Sequence, residues 1–226
     1  MKYVVREAIK RLIELRLEDL EDYVDLLESA IKRKEKHLGE MIDRATEGTS
    51  EGDKPWIIGD QFGGDIGSVV DSLPRLLWFG AFVSIYSCFE REMLSLARRD
   101  LRMNKGVFPT GLKKNHHMLN YTGDTEAYWK ARGVTFPDSG KPWKELDRFG
   151  KIRNRIAHEG GLLDGTDRSN TIRKYVTSRL RGRKKSLTVK KDKHLQKESL
   201  VLTAEFCREA INTVKTFFEE LVAVLP

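Results

Sequence analysis

Apolar residues recur along the start of the chain at alternating steps of four and three. Ile13, Leu17, Leu20, Val24, Leu27, Ile31, Leu38 and Met41 form the stripe, and Lys34 is its one break. That period predicts a single long helix over 3–45, whose seam must lie on another helix, in its own bundle or in a partner. Residues 46–71 are polar and rich in glycine, and predict a flexible loop. Within it, Gly63-Gly64-Asp65-Ile66-Gly67 is only superficially like a phosphate loop, because no GK[ST] follows.

Ser72-Leu73-Pro74 reads as a helix start, with serine as cap and proline in the first turn. The helix it opens runs to about Met103. Its apolar run, Leu76 to Phe89, falls short of the roughly 20 residues of a bilayer span, so it predicts a buried central helix and no membrane segment. Residues 104–140 predict irregular chain with two short helices, over 110–120 and 124–132. A further helix runs from Pro142 to His158, where Gly160-Gly161 stop it.

Ile172 to Leu180 predicts a short helix. Ser186 to Lys190 and Lys197 to Leu202 flank a Lys-Asp-Lys turn and predict a small β-hairpin. Thr203 caps a last helix with Phe206, Ala210, Val214, Phe217 and Leu221 on one face. The sum is a mainly α fold: one domain over 1–226, a helical bundle with a long N-terminal helix, a core over 72–224, and a small hairpin before the last helix.

Composition narrows the function classes. The 226 residues are 39% hydrophobic and 33% charged, which excludes a wholly disordered chain or a disulfide scaffold. Cys88 and Cys207 both lie in apolar helical stretches without a Cys or His neighbour, which points to a reducing compartment and away from structural zinc. The charged, helix-patterned N-terminus carries no signal-peptide run, so the expected location is cytoplasmic.

The net charge of +7 is uneven. Residues 1–47 carry a slight acidic excess, whereas 168–193 hold 11 Lys/Arg against one acid, Asp192. Arg179, Arg181, Arg183, Lys184, Lys185, Lys190 and Lys191 are its candidate polyanion contacts, with RNA the first candidate. The alternative is a solvated loop. His116-His117, beside Lys113-Lys114, are a candidate phosphate-contacting loop, and Tyr121, Tyr128, Trp129 and Trp143 are candidate base-stacking residues or core.

Chemistry concentrates in Lys151-Ile152-Arg153-Asn154-Arg155-Ile156-Ala157-His158-Glu159-Gly160-Gly161. Asn154 and His158, four apart, share a helix face and are placed to hydrogen-bond. Arg153 lies about 140° round the helix from His158, so the pair converges on one small site only if the helix end unwinds or a second copy contributes. A neutral His can take the proton of a ribose 2′-OH while Arg neutralises the charge growing on phosphorus. That chemistry calls for no metal or cofactor.

Arg153-Asn154 followed by His158 at a helix end, in an all-helical chain, resembles the motif of the HEPN superfamily, an Arg followed four to six residues later by His. The aromatic-rich stretch from Phe82 to Leu94 resembles the central helix of such domains. The likeness covers roughly residues 72–224 and is greatest to the RNase toxin and abortive-infection branch. It implies a homodimeric, metal-independent endoribonuclease, a toxin or antiviral-defence effector. Arg153 and His158 would be catalytic and Asn154 supporting, with Glu90 and Glu159 as nearby acids. The partners implied are RNA, a second copy of the chain, and a cognate antitoxin or defence protein. The alternative is a non-catalytic module that binds nucleic acid or protein.

Overall fold

In a computed structural model, residues 2–110, 112, 122–134, 141–182, 185–191 and 197–225 are described. The architecture is mainly α, a helical bundle with a small antiparallel sheet. The N-terminal helix α1 spans Lys2–Ala45. Its seam is covered within its own chain: Ile13, Leu17, Val24, Leu27, Ile31 and Leu38 are all buried, while Lys34 and Met41 face out. The cover comes from the C-terminal helix α7 (Ala204–Val224), from α3 (Leu73–Met103) and, toward the end of α1, from α2 (Lys54–Gly67). Ion pairs fasten the same contacts. Arg208 of α7 reaches Asp25 and Glu28, and Arg16 reaches Glu92 of α3.

The expected flexible loop over 46–71 is largely helix. Ile58, Phe62, Ile66 and Val69 fall on one side of α2 at helical spacing, and Phe62 is buried. Pro55 presets the first turn. The glycines face away: a Cβ at Gly59, Gly63, Gly64 or Gly67 would meet nothing within 4 Å. An apolar stripe to bury therefore outweighs the roughly 1 kcal/mol that each glycine costs a helix.

Nor does a new helix begin at Ser72. Ser68–Ser72 form a π-turn that joins α2 to α3, and Ser72 caps nothing. Pro74 lacks the N–H that a plain α-helix needs and its ring crowds the carbonyl one turn back, so the backbone widens just before it. The resulting helix, 50 residues over Lys54–Met103, is long and apolar enough to cross a membrane by length and composition. From Trp78 to Asp100 its inner face is the interior of the bundle.

The core is aromatic. Phe82 of α3, Phe149 of α5 (Lys141–Glu159) and Phe206 of α7 stack mutually with centroids 5.2–5.7 Å apart. Phe89 and Phe217 continue the contact at 5.5 Å. Full burial of such rings stabilises the fold by about 1.5–3 kcal/mol each. Tyr128 and Trp129, on α4 (Thr122–Ala131), are wholly buried, with the Tyr128 hydroxyl donating to Asp100 at 2.6 Å. Trp143 packs against Phe217. Tyr128 and Trp129 are thus core residues and present no stacking platform, whereas Trp143 is half-buried at the edge of the core. Tyr121, His116 and His117, with the expected helix over 110–120, lie outside the described residues apart from Thr110 and Leu112.

The helix α6 (Asp167–Arg181) starts five residues earlier than the sequence predicts, capped by Thr166. The hairpin of β2 (Leu187–Lys191) and β3 (Glu198–Leu202) forms as expected, and a short strand β1 (Leu162–Leu163) adds to it in the order β1-β3-β2. Leu187, Leu200 and Leu202 point into the core. Thr203 caps α7 by accepting from the Phe206 N–H.

Candidate functional site

Helix α5 presents the Arg153–His158 segment because Leu146, Phe149, Ile152 and Ile156 anchor one side of it in the aromatic core. Arg153 stands at the edge of that buried side. Its guanidinium donates to Asn154 Oδ1 at 3.0 Å and lies 3.5 Å from Glu90 of α3, while its buried Nε has no partner. Asn154 and His158 are exposed. The structure thus brings Arg153, Asn154 and Glu90 together.

The expected Asn154–His158 hydrogen bond is not made, and the Asn154 amide oxygen accepts from the Arg153 guanidinium instead. His158 stands apart in the last turn of α5. Glu159, expected as a supporting acid, is exposed and makes no hydrogen bond or ion pair with the trio among the described residues.

The helix end beyond His158 is held by two glycines, both left-handed. Gly161 could carry no side chain, since a Cβ there would sit 2.5 Å from the Phe79 ring. Arg75, at the start of α3, donates to the Gly160 carbonyl at 2.7 Å and covers the Phe79 ring. Leu200 N–H donates to Gly161, tying the helix end to the hairpin. Arg155, buried, reaches Asp164 and Thr166. Hydroxyls of Ser169 and Thr166 donate to Asp164 and hold its carboxyl well below the usual carboxylate range.

Sequence reasoning did not single out Arg75, Tyr86 or Gly150. Tyr86 is buried beside Gly150, and burial, with the Glu90 and Asp147 carboxylates nearby, pushes its phenol well above the ordinary value. The signal in the sequence was Gly150 itself, a glycine inside a helical pattern, which marks a close approach. Both cysteines are buried, which raises their thiols, that of Cys207 to about 12.

The basic segment divides. Arg179, expected to contact RNA, is a structural rivet: it bonds Glu209 at 2.5 Å and Ser186 at 2.9 Å and lies over the Phe206 ring. Arg173 is likewise paired with Glu198. Arg181, Lys185, Lys190 and Lys191 are exposed, whereas Arg183 and Lys184 lie outside the described residues. Comparison of the chain with protein-family models, with curated proteins and with solved structures finds no match in any of the three.

Proposed function

We propose that the protein is a metal-independent endoribonuclease acting at a site composed from two copies of the chain, and that it serves as a toxin or antiviral effector. One observation carries the reading: Glu90 and Asn154 hold the part-exposed Arg153 guanidinium in place. A preset cation of this kind fits a phosphodiester anion, which accepts from a guanidinium in a forked geometry.

The chemistry balances without a further reagent. Neutral His158 takes the proton of a ribose 2′-OH, whose oxygen attacks phosphorus. Arg153 stabilises the charge on the phosphoryl oxygens. His158 of a second copy, protonated, gives its proton to the departing 5′-oxygen. The products are a 2′,3′-cyclic phosphate and a 5′-hydroxyl. Support for the second copy comes from the outer strip of α3, where Leu76, Gly80, Ser84 and Ser87 are exposed in line and lead to Glu90. Small residues let another backbone approach closely, and the two-fold relation supplies the second imidazole.

The rival reading is a helical module that binds RNA without cutting it. The separation of His158 from Arg153 within one chain favours it. Incubation with total RNA in EDTA separates the two. Cleavage that leaves cyclic phosphate ends, and is lost in Arg153→Ala and His158→Ala with the helical content unchanged, is the expected result. Intact RNA beside a properly dimeric wild type would remove the nuclease reading.

A further inference from the structure

A groove of about 1210 Å³ opens between α1, the α2–α3 junction and the hairpin. That exceeds the roughly 300–1,000 Å³ of pockets built for compact small molecules, and suits a length of chain. Its hairpin side is cationic: Lys185, Lys190 and Lys191 line it, and none of them makes an ion pair among the described residues. The other side is mixed, with Glu28, Glu35 and Asp71 beside Lys32 and Arg75. Trp78 and the first turn of α7, which carries Glu205, also border the groove.

The groove borders the helix end that carries His158. Arg75 lines it and, with the same side chain, donates to the Gly160 carbonyl, two residues past His158. Gly161 is in turn bonded to Leu200 of the hairpin. One rim of the groove and the end of α5 are therefore a single hydrogen-bonded unit.

We propose that this groove is the substrate track, and that it takes single-stranded RNA, with phosphates along Lys185, Lys190 and Lys191 and bases toward Glu35 and Asp71. The inference rests on the nuclease reading for its destination at His158. The cationic hairpin side fixes how the strand lies. Carboxylates repel phosphates but accept from the amino groups of bases, so the strand has one favourable orientation across the groove. An unpaired strand is required chemically as well. A regular A-form helix holds the 2′-OH out of line with the departing oxygen, and only an unstacked nucleotide can turn into line. Unpaired segments are also where RNA offers its base edges to proteins.

The test is fluorescence anisotropy of a labelled ten-nucleotide RNA with the full-length His158→Ala protein, which holds substrate intact. Lys190→Glu/Lys191→Glu is expected to weaken binding at least about tenfold and to lower the salt slope by roughly 1.4, about 0.7 for each lost phosphate contact. Lys144→Glu/Lys215→Glu, an equal charge change on exposed positions outside the groove, should leave the affinity within about threefold. The same sequence as a duplex should bind more weakly than the single strand.

Equal weakening by both double variants would overturn the track, as would equal binding of duplex. A decaglutamate peptide that competes as well as RNA would overturn it too, by showing a general polyanion surface. Wild-type cleavage in EDTA is read separately. Cleavage that persists with binding insensitive to Lys190 and Lys191 sinks the groove and leaves the nuclease. Groove-dependent binding without cleavage sinks the nuclease and leaves a single-strand site.

Discussion

Replacing Gly150 by alanine sets two known effects against each other. In an exposed helix interior the change is worth up to about 1 kcal/mol of added stability. At this position the new Cβ would sit 2.5 Å from the Tyr86 hydroxyl and 3.1 Å from the carbon that bears it. The tyrosine is buried and its ring lies 5.5 Å from Phe89, which limits its retreat. Overpacking of this kind costs about 1–3 kcal/mol, so the net expectation is a loss of up to about 2 kcal/mol. For a chain of this size that lowers Tm by up to about 8 °C.

Tyr86→Phe removes the closer atom, so the double variant Gly150→Ala/Tyr86→Phe should recover most of the loss. Thermal melts of all four proteins form a cycle with a coupling of at least about 1 kcal/mol. A rise in Tm for Gly150→Ala alone would show that the hydroxyl does not occupy that space, and would refute the packing of α3 on α5 beside Arg153.

Two further outcomes follow from the ion pairs. Arg179→Met takes the guanidinium from Glu209, and breaking a buried pair costs about 3–5 kcal/mol; Glu209 is part-exposed and keeps the Ser186 hydroxyl, so the loss is at most about 3 kcal/mol and lowers Tm by up to about 12 °C. An unchanged melt with weakened RNA binding would instead return Arg179 to the RNA surface. Asp164 titrates below its ordinary value, near 4, in the folded chain, so its contribution to stability is present above that pH and is lost as pH falls further. Asp164→Asn should therefore flatten the dependence of Tm on pH below about pH 4, and an unaltered acid limb would contradict the Ser169 and Thr166 hydrogen bonds.

The parts of the fold legible in the sequence are those where one strong signal stood alone. The α1 seam, the Thr203 cap and the hairpin alternation each had no competitor, and each forms within a residue or two of its expected place. Residues 54–72 carried two signals at once, glycines that break helices and an apolar stripe at helical spacing. Only the neighbouring α1, which lets the stripe be buried, decides between them. The same holds for charge. A count of cations cannot separate Arg179, which closes on Glu209 thirty residues away, from Lys190, which stays in solvent. Arg153 and Asn154 were legible as site residues by type and spacing. Their mutual hydrogen bond depends on which rotamers the bundle allows.

The π-turn at 68–72 also bears on how such a chain tolerates change in length. A π-turn is an α-helix that has absorbed one extra residue. Removing one residue from it restores a plain α turn, so α2 keeps its phase against α3 and Phe62 and Ile58 stay on α1. One more residue, in contrast, turns α2 by about 100° and swings its glycine side onto α1. A single deletion across 68–72 should therefore be tolerated, whereas a single insertion there would detach α2 and remove one side of the groove.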